Sequence, residues 1–203
     1  MRLILAAVVA MSALASAQTP PVPAPVIDNA MVTVRDMPAV VASASMELRR
    51  FDAVLVYMLP ESLQGKVDFI PRGTSLKGAI RASGATRLVA ISLKQPPPAA
   101  LANTSGFPDA FPRPGQLRKP IDNYKITAWD YTFEPGVASP MHFHGRDVVT
   151  VYFKPGAIVA TTPDGSKTNN EFSFGTIRFN PRNRTHTETV VRGESRIAAI
   201  ELK

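Results

Sequence analysis

Three histidines are the residues of this chain whose type and spacing suggest metal chemistry. His142 and His144 stand one residue apart in "PMHFHG", and His186 lies in "NRTHTE". Two histidines at i and i+2 on a β-strand project from the same face, where their rings can share one ion. Divalent transition metals favour neutral imidazole, and the chain has no cysteine to supply thiolate ligands. The third ring joins the pair only if the strands pair or the sheet closes into a barrel, and a β-barrel meets this requirement.

Two carboxylates stand close to these histidines in the sequence. Asp147 is a candidate fourth ligand if the turn after His144 is tight. Glu188 lies two residues beyond His186, on the same face of a strand, and is a candidate ligand or acid/base. Arginines near the site, among them Arg184, are candidates for binding an anionic substrate, although solvation at the surface is the simpler interpretation. The candidates for lining a pocket, which would otherwise be barrel core, are Trp129, Tyr131, Phe133, Tyr152 and Arg146.

The N-terminus predicts export. Residues 1–17 have a basic start, a short apolar run and the small residues "ALASA", as in a cleaved signal peptide. We therefore expect cleavage after Ala17, a periplasmic or secreted chain, and no stable membrane insertion after cleavage. An uncleaved membrane anchor is the alternative, although the apolar run is short for a span.

Composition narrows the class of protein further. Without cysteine an exported chain has no disulfides, so a packed core must supply its stability. The net charge is +7, but the basic residues are scattered rather than gathered on one helix or groove, which argues against nucleic-acid binding. We expect a small-molecule ligand as the partner, and either a monomer or a homodimer.

The chain divides at its prolines. Residues 18–24 and 95–117 are proline-rich and are interpreted as linkers around modules 25–94 and 118–203. Short β-branched or aromatic segments such as "DVVTVYF" and "RIAAIEL" are bounded by turn residues, and Asp164-Gly165 predicts a hairpin. These signals favour an all-β barrel or sandwich. Residues 37–51 fit either a helix or a strand and turn.

An internal repeat links the two modules. "DAVLVYML" (52–59) matches "DVVTVYFK" (147–154), and residues 65–94 match 175–203 with ten identities, where about two are expected by chance. The sequence therefore predicts a duplicated β module. The histidines align with Glu47, Arg49 and Leu76, so the first copy is predicted to be degenerate and without metal ligands. It is also predicted to be shortened, because the interval from Asp52 to Gly65 is shorter than the aligned interval from Asp147 to Gly175. Asp147 aligns with Asp52 in that copy, which favours a structural role for it.

The second module resembles the cupin superfamily. Gly136, His142, His144 and Gly156 fall at the positions of the first cupin motif. The second motif is matched by Gly175, Pro181 and His186. The resemblance implies a double-stranded β-helix, or jelly-roll, barrel that holds one divalent metal through the three histidines.

The chain departs from the cupin motifs at three positions. Val149 occupies the place of the usual glutamate ligand, Val190 that of a final asparagine, and Asn183 that of a turn glycine. Asparagine tolerates the left-handed conformation, so the turn is expected to survive.

Several functions remain open at this point. Three imidazoles suit Zn, Fe, Mn, Cu or Ni. The resemblance implies oxygenase, isomerase or hydrolase chemistry on a small molecule. A periplasmic metal- or ligand-binding module without turnover, and a metal-free structural barrel, are the alternatives.

Overall fold

A computed structural model describes residues 20–203, and the predicted signal peptide lies outside them. The described part of the chain is mostly antiparallel β-structure, so the predicted all-β class is confirmed for these residues. Among residues 20–203, no helix has the length and apolar character needed to cross a membrane.

The first half forms one five-stranded antiparallel sheet with two short helices. Its elements are β1 (Ile27–Asp28), β2 (Val32–Pro38), α1 (Ala39–Ala44), β3 (Asp52–Leu59), β4 (Val67–Ile70), α2 (Leu76–Ser83) and β5 (Arg87–Leu93). Short 3-10 turns occupy Leu48–Arg50 and Glu61–Leu63. The strand order across the sheet is β1-β2-β5-β3-β4.

The second half has two antiparallel sheets that enclose an interior. Its strands are β6 (Gln116–Asp122), β7 (Ile126–Thr132), β8 (His142–His144), β9 (Val148–Tyr152), β10 (Gly156–Thr161), β11 (Lys167–Phe172), β12 (Ile177–Asn180), β13 (Arg184–Gly193) and β14 (Arg196–Leu202). One sheet has the order β12-β9-β14-β7-β6, and the other has the order β11-β10-β13-β8. β10 and β11 form the hairpin predicted at Asp164-Gly165, where Gly165 has a φ of 84°.

The five-stranded sheets of the two halves have the same order and the same register. β1, β2, β5, β3 and β4 correspond to β6, β7, β14, β9 and β12. Val54 pairs with Ile91 in the first half, and the residues aligned with them, Val149 and Ile200, pair in the second. The sequence repeat is therefore matched strand for strand in one sheet of each half.

The second layer differs between the halves. α2 stands where the second half has β13, and the 3-10 turn Leu48–Arg50, which follows α1, stands where the second half has β8. The first half has no counterpart of the β10–β11 hairpin. The expectation of a shortened barrel over residues 25–94 is therefore wrong in this layer, which is helical. The side chain of Ser75 accepts a bond from the backbone amide of Lys77 at the start of α2, and Gly84 ends it at a φ of 71°. Its buried residues, Leu76 and Ile80, are one helical turn apart and pack on the sheet.

The two matched sheets pack face to face. Their apolar faces share one core, to which the first half contributes Val54 and Val56 and the second contributes the aligned Val149 and Val151. The opposite face of the first sheet is covered by the helices. The opposite face of the second lines the barrel interior, where the aromatic residues gather.

The segment 95–117 does not behave as the predicted linker. It runs along the exposed edge of β8, where the backbone amide of Ala110 donates to the carbonyl of Phe143 at 2.8 Å and that of Leu101 donates to Gly145 at 2.9 Å. Ala110, Phe111 and Arg113 are buried. The segment therefore belongs to the wall of the barrel, because its backbone bonds to an otherwise free strand edge and its side chains enter the core.

Candidate metal centre

Two neighbouring strands bring the three histidines together. β8 and β13 are antiparallel, with His142 opposite His186 and His144 opposite Arg184. His142 and His144 point to the same side because side chains alternate along a strand. The turn before β13 has Asn183 at a φ of 64°, and its amide donates to the carbonyl of His144 at 2.8 Å. The left-handed turn expected at this asparagine is thus present and fixes the register of the two strands.

The three rings form a compact triangle. Their centroids lie 5.0, 4.8 and 5.0 Å apart, and one nitrogen from each ring lies within 4.8 Å of the others. The Nδ1 atom of His142 is 2.7 Å from the carbonyl oxygen of Pro140, so it carries the proton and leaves Nε2 with its lone pair. That Nε2 lies 3.2 Å from Nε2 of His144. Nitrogens bound about 2.1 Å from one ion at tetrahedral or octahedral angles are about 3.0–3.4 Å apart, so the pair fits a shared metal.

Burial keeps the three imidazoles neutral. It lowers the pKa of His142 to about 4, with help from the positive charge of Arg113. Burial also lowers the pKa of His144 and of His186, and Arg184 acts in the same direction on both. Neutral imidazole is the form that binds metals. Within the described chain, Nε2 of His186 is buried without a hydrogen-bond partner, so this nitrogen is available to bind a metal.

Glu188 faces the same space as the rings. Its carboxylate oxygens lie 4.0 Å from Nε2 of His142 and 3.9 Å from Nε2 of His186. Burial opposes its ionisation, but the charge and the hydrogen bond of Arg113 act in the opposite direction, and the pKa of Glu188 is lowered to about 2. The donor set of three imidazoles and one nearby carboxylate fits a divalent transition metal.

Arg113 holds Glu188 in place and was not found from the sequence. Its Nη1 donates to Oε2 of Glu188 at 2.9 Å, and its guanidinium lies 4.6 to 5.4 Å from the ring centroids of Phe111, Tyr131 and Phe133. Such contacts favour a buried cation. The available signal was the run "FPDAFPRPG", whose two phenylalanines and arginine are unusual in a solvated linker.

A cavity of about 110 Å³ adjoins two of the rings, those of His144 and His186. Phe111, Phe133 and Tyr152 form apolar parts of its wall. Its polar wall, most of which the sequence did not reveal, comprises Arg113, Thr150, Asn170, Arg178, Asn180, Arg184 and Glu188. Burial, followed by the charge of Glu188, raises the pKa of Tyr152 to about 12, so its hydroxyl stays protonated.

Two of the four aromatic candidates line the cavity. Phe133 and Tyr152 do so, whereas Trp129 and Tyr131 lie in the surrounding core. Trp129 stacks on Phe111 and donates to Glu201 at 2.6 Å, and the hydroxyl of Tyr131 donates to the carbonyl of Pro114 at 3.2 Å.

Two further candidates are placed away from the rings. Arg146, predicted as a pocket residue, does not line this cavity and donates to the carbonyl of Leu202 at 3.4 Å. Oδ1 of Asp147 accepts the backbone amide of Arg182 at 2.8 Å. The aligned Asp52 accepts the amide of Arg72 at 2.7 Å. The same bond in both halves indicates a turn-holding role for Asp147 rather than a ligand role.

Sequence comparison gives one partial match. No protein-family model matches the chain. The β-alanine degradation protein BauB of Pseudomonas aeruginosa is 32% identical over 63 residues, which are 31% of this chain and 61% of that protein. The chain thus spans less than two thirds of the length of this curated relative.

Structural comparison gives partial matches to cupins. A cupin domain of Bordetella pertussis Tohama I is 26% identical with a TM-score of 0.40, covering 46% of this chain and 99% of that one. KdgF of a Halomonas species is 18% identical with a TM-score of 0.35, covering 52% and 92%. The polyketide cyclase RemF of Streptomyces resistomycificus is 17% identical with a TM-score of 0.36, covering 52% and 80%. In the C-terminal module, two antiparallel sheets enclose the three histidines, which lie at the positions of the two motifs.

Proposed function

We propose that this protein binds one divalent transition metal through His142, His144 and His186 and uses it as an enzyme acting on a small organic molecule. The observation that carries the proposal is the convergence of three buried, neutral imidazoles beside a polar cavity. Structural metal sites are closed by four protein ligands, whereas catalytic sites keep a position for substrate or water. Three histidines next to a cavity correspond to the second kind.

When bound, the metal would supply Lewis acidity toward a substrate oxygen. The chain's own residues prepare the surroundings. The carbonyl of Pro140 fixes the proton on Nδ1 of His142, and thereby the orientation of that ring. The Arg113–Glu188 pair places a fixed carboxylate beside two rings, and Phe111 and Phe133 exclude water from one side of the cavity. Oxygenase, isomerase and hydrolase reactions are all compatible with this arrangement.

The first test is the elemental content of untagged protein. We expect about one equivalent of a transition metal in the native protein and less than about a tenth in His144→Ala, because a two-histidine remnant binds weakly. His144→Ala should keep the circular dichroism spectrum of the native fold, and Arg146→Gln, outside the cavity, should keep the metal. Native protein with less than about a tenth of an equivalent would overturn the proposal.

Turnover separates the enzyme from the alternative of a non-catalytic binding module. Oxygen consumption and hydrolysis of small carbonyl compounds by the loaded protein, compared with His144→Ala, provide the screen. Metal that is bound without any turnover in this screen favours the binding module and counts against the enzyme.

We also propose that the protein is exported and that its two halves descend from one duplicated module. The signal-like residues 1–17 support export. Matched strand order and register, and the aligned bonds made by Asp52 and Asp147, support the duplication. N-terminal sequencing of the protein from the periplasmic fraction should begin at Gln18. A chain that retains Met1 in the cytoplasm would contradict export.

A further inference from the structure

One strand of the barrel presents three different charged or ligating groups to the cavity in a row. Arg184, His186 and Glu188 alternate along β13 and therefore point to the same side. All three line the cavity. We propose that the substrate is a small carboxylic acid whose carboxylate is bound by the guanidinium of Arg184, next to the histidine site. This inference rests on the proposed function for the reaction, but the carboxylate site itself depends only on the residues present.

Arg184 is the cavity arginine whose terminal nitrogens are available. Arg113 is paired with Glu188. Arg178 donates to Oδ1 of Asn170 and to the carbonyl of Glu171, both at 2.7 Å. Arg184 donates from Nε to the carbonyl of Pro181 at 2.6 Å, and its two terminal nitrogens have no acceptor within the described chain. A guanidinium anchored at Nε with both terminal nitrogens available matches the two oxygens of a carboxylate.

The charge of the wall favours the same class of ligand. The three cavity arginines face one carboxylate, that of Glu188. The lining is therefore net positive, and a cavity with low-dielectric walls concentrates this field. Anionic molecules are attracted to such a site, and cationic ones are repelled.

The volume and the remaining polar groups set the size of the ligand. A cavity of about 150 Å³ holds benzene, so one of about 110 Å³ holds a molecule of roughly four to six heavy atoms. Nδ2 of Asn180 donates to Oγ1 of Thr150 at 2.9 Å, and both residues line the cavity. They offer hydrogen bonds to a hydroxyl or keto oxygen of the ligand. The ligand class is thus a short acid, with or without one further oxygen.

The test measures binding rather than turnover. Difluoroacetate and the uncharged difluoroacetamide have six heavy atoms each, are similar in size and are observed by ¹⁹F NMR. Both would be titrated into metal-loaded and metal-free protein, and into Arg184→Gln and Arg184→Lys. Arg146→Gln is the matched control, because this arginine lies on the same module but outside the cavity.

We expect saturable binding of difluoroacetate at least ten times tighter than that of difluoroacetamide. Arg184→Gln should weaken it about tenfold or more, since one charge-assisted contact is lost. Arg184→Lys should weaken it less, and Arg146→Gln should leave it unchanged. If metal-free protein still distinguishes the two probes, this inference stands even if the proposed metal function fails. Equal affinity for both probes, no saturable binding, or no effect of Arg184→Gln would overturn it.

Discussion

The Arg113–Glu188 ion pair permits a quantitative test of what the charges in the barrel interior contribute to the free energy of unfolding. Arg113 is 5% exposed in its side chain and Glu188 is 18% exposed, and they meet at 2.9 Å. Arg113→Met keeps most of the aliphatic volume that packs against the aromatic rings, so the variant chiefly loses the charge. Removing one partner of a buried ion pair costs about 3–5 kcal/mol. Because the cavity still admits water to Glu188, we expect the lower end of this range, about 3 kcal/mol.

Urea unfolding of the metal-free protein measures this loss. Trp129 is the single tryptophan and stacks on Phe111 at 5.2 Å, so its fluorescence reports on the packing around Arg113. For a chain of this size, about 3 kcal/mol corresponds to a fall of roughly 6–12 °C in Tm. The double variant Arg113→Met with Glu188→Gln should recover at least half of the loss, because it leaves no unpaired charge. Arg146→Met should change stability by less than about 0.5 kcal/mol.

A bound cation should replace part of the positive charge that Arg113 places beside Glu188. Zn²⁺ at the histidines would lie close to the carboxylate of Glu188, and any ligand of the folded state stabilises it. Added Zn²⁺ should therefore stabilise Arg113→Met by more than it stabilises the native protein. The reasoning is refuted if Arg113→Met lies within about 0.5 kcal/mol of native, or if the double variant is as unstable as the single one.

Two further predictions concern the first half and its contact with the second. Burial alone would raise the pKa of Asp52, but the Arg72 amide and Lys125 outweigh it and lower the pKa. Because the pKa of Asp52 is lower in the folded state, its ionised carboxylate stabilises the fold at pH values above the unfolded pKa of about 4. This stabilisation is lost as the pH falls through the folded pKa. In urea unfolding, Asp52→Asn should therefore cost about 1 kcal/mol at pH 7, and less with increasing acidity below pH 4. Gly65 has a φ of 85°, and a Cβ there would collide with Asp130, so Gly65→Ala should lower stability by about 2 kcal/mol or more in thermal unfolding.

The chain offers a matched control for each of these. Gly73 has a φ of 82° with open space around its Cβ position, so Gly73→Ala should cost only the backbone strain, about 1 kcal/mol. Equal costs at the two glycines would show that contact with Asp130 contributes nothing. The exposed Glu171 pairs with Arg192 at the surface, and Glu171→Gln should change stability by less than about 0.5 kcal/mol at any pH. A loss in Asp52→Asn that stays constant from pH 7 to pH 3 would contradict the role given to its charge.

Local signals in the sequence were sufficient to predict much of the structure of the second half. Alternation along β8 placed both histidines on one face, and Asp164-Gly165 and Asn183 marked turns that are present. These features depend on a few neighbouring residues, so sequence alone reveals them. The convergence of His186 required the motif spacing as well, because its partners are distant in the chain.

The helical layer of the first half could not be read from the aligned repeat. Leu76 aligns with His186, yet it begins α2. In the second half, β13 pairs with β10 over six positions, and the first half has no counterpart of β10. A strand at residues 76–83 would thus have an unpaired edge, whereas a helix satisfies its own backbone bonds. The role of Arg113 was hidden for a related reason, since a proline-rich segment without periodicity gives no sign of the strand edge that it covers.

The face-to-face packing of the matched sheets has a consequence for how the chain can be divided. Each sheet alone would expose a broad patch of valine and isoleucine to water, which isolated soluble domains rarely tolerate. Residues 20–97 and 98–203 produced as separate polypeptides should each aggregate, yet co-purify as a stable pair when produced together. The first half, which lacks the three histidines, would then permanently cover the apolar surface through which the second half would otherwise self-associate.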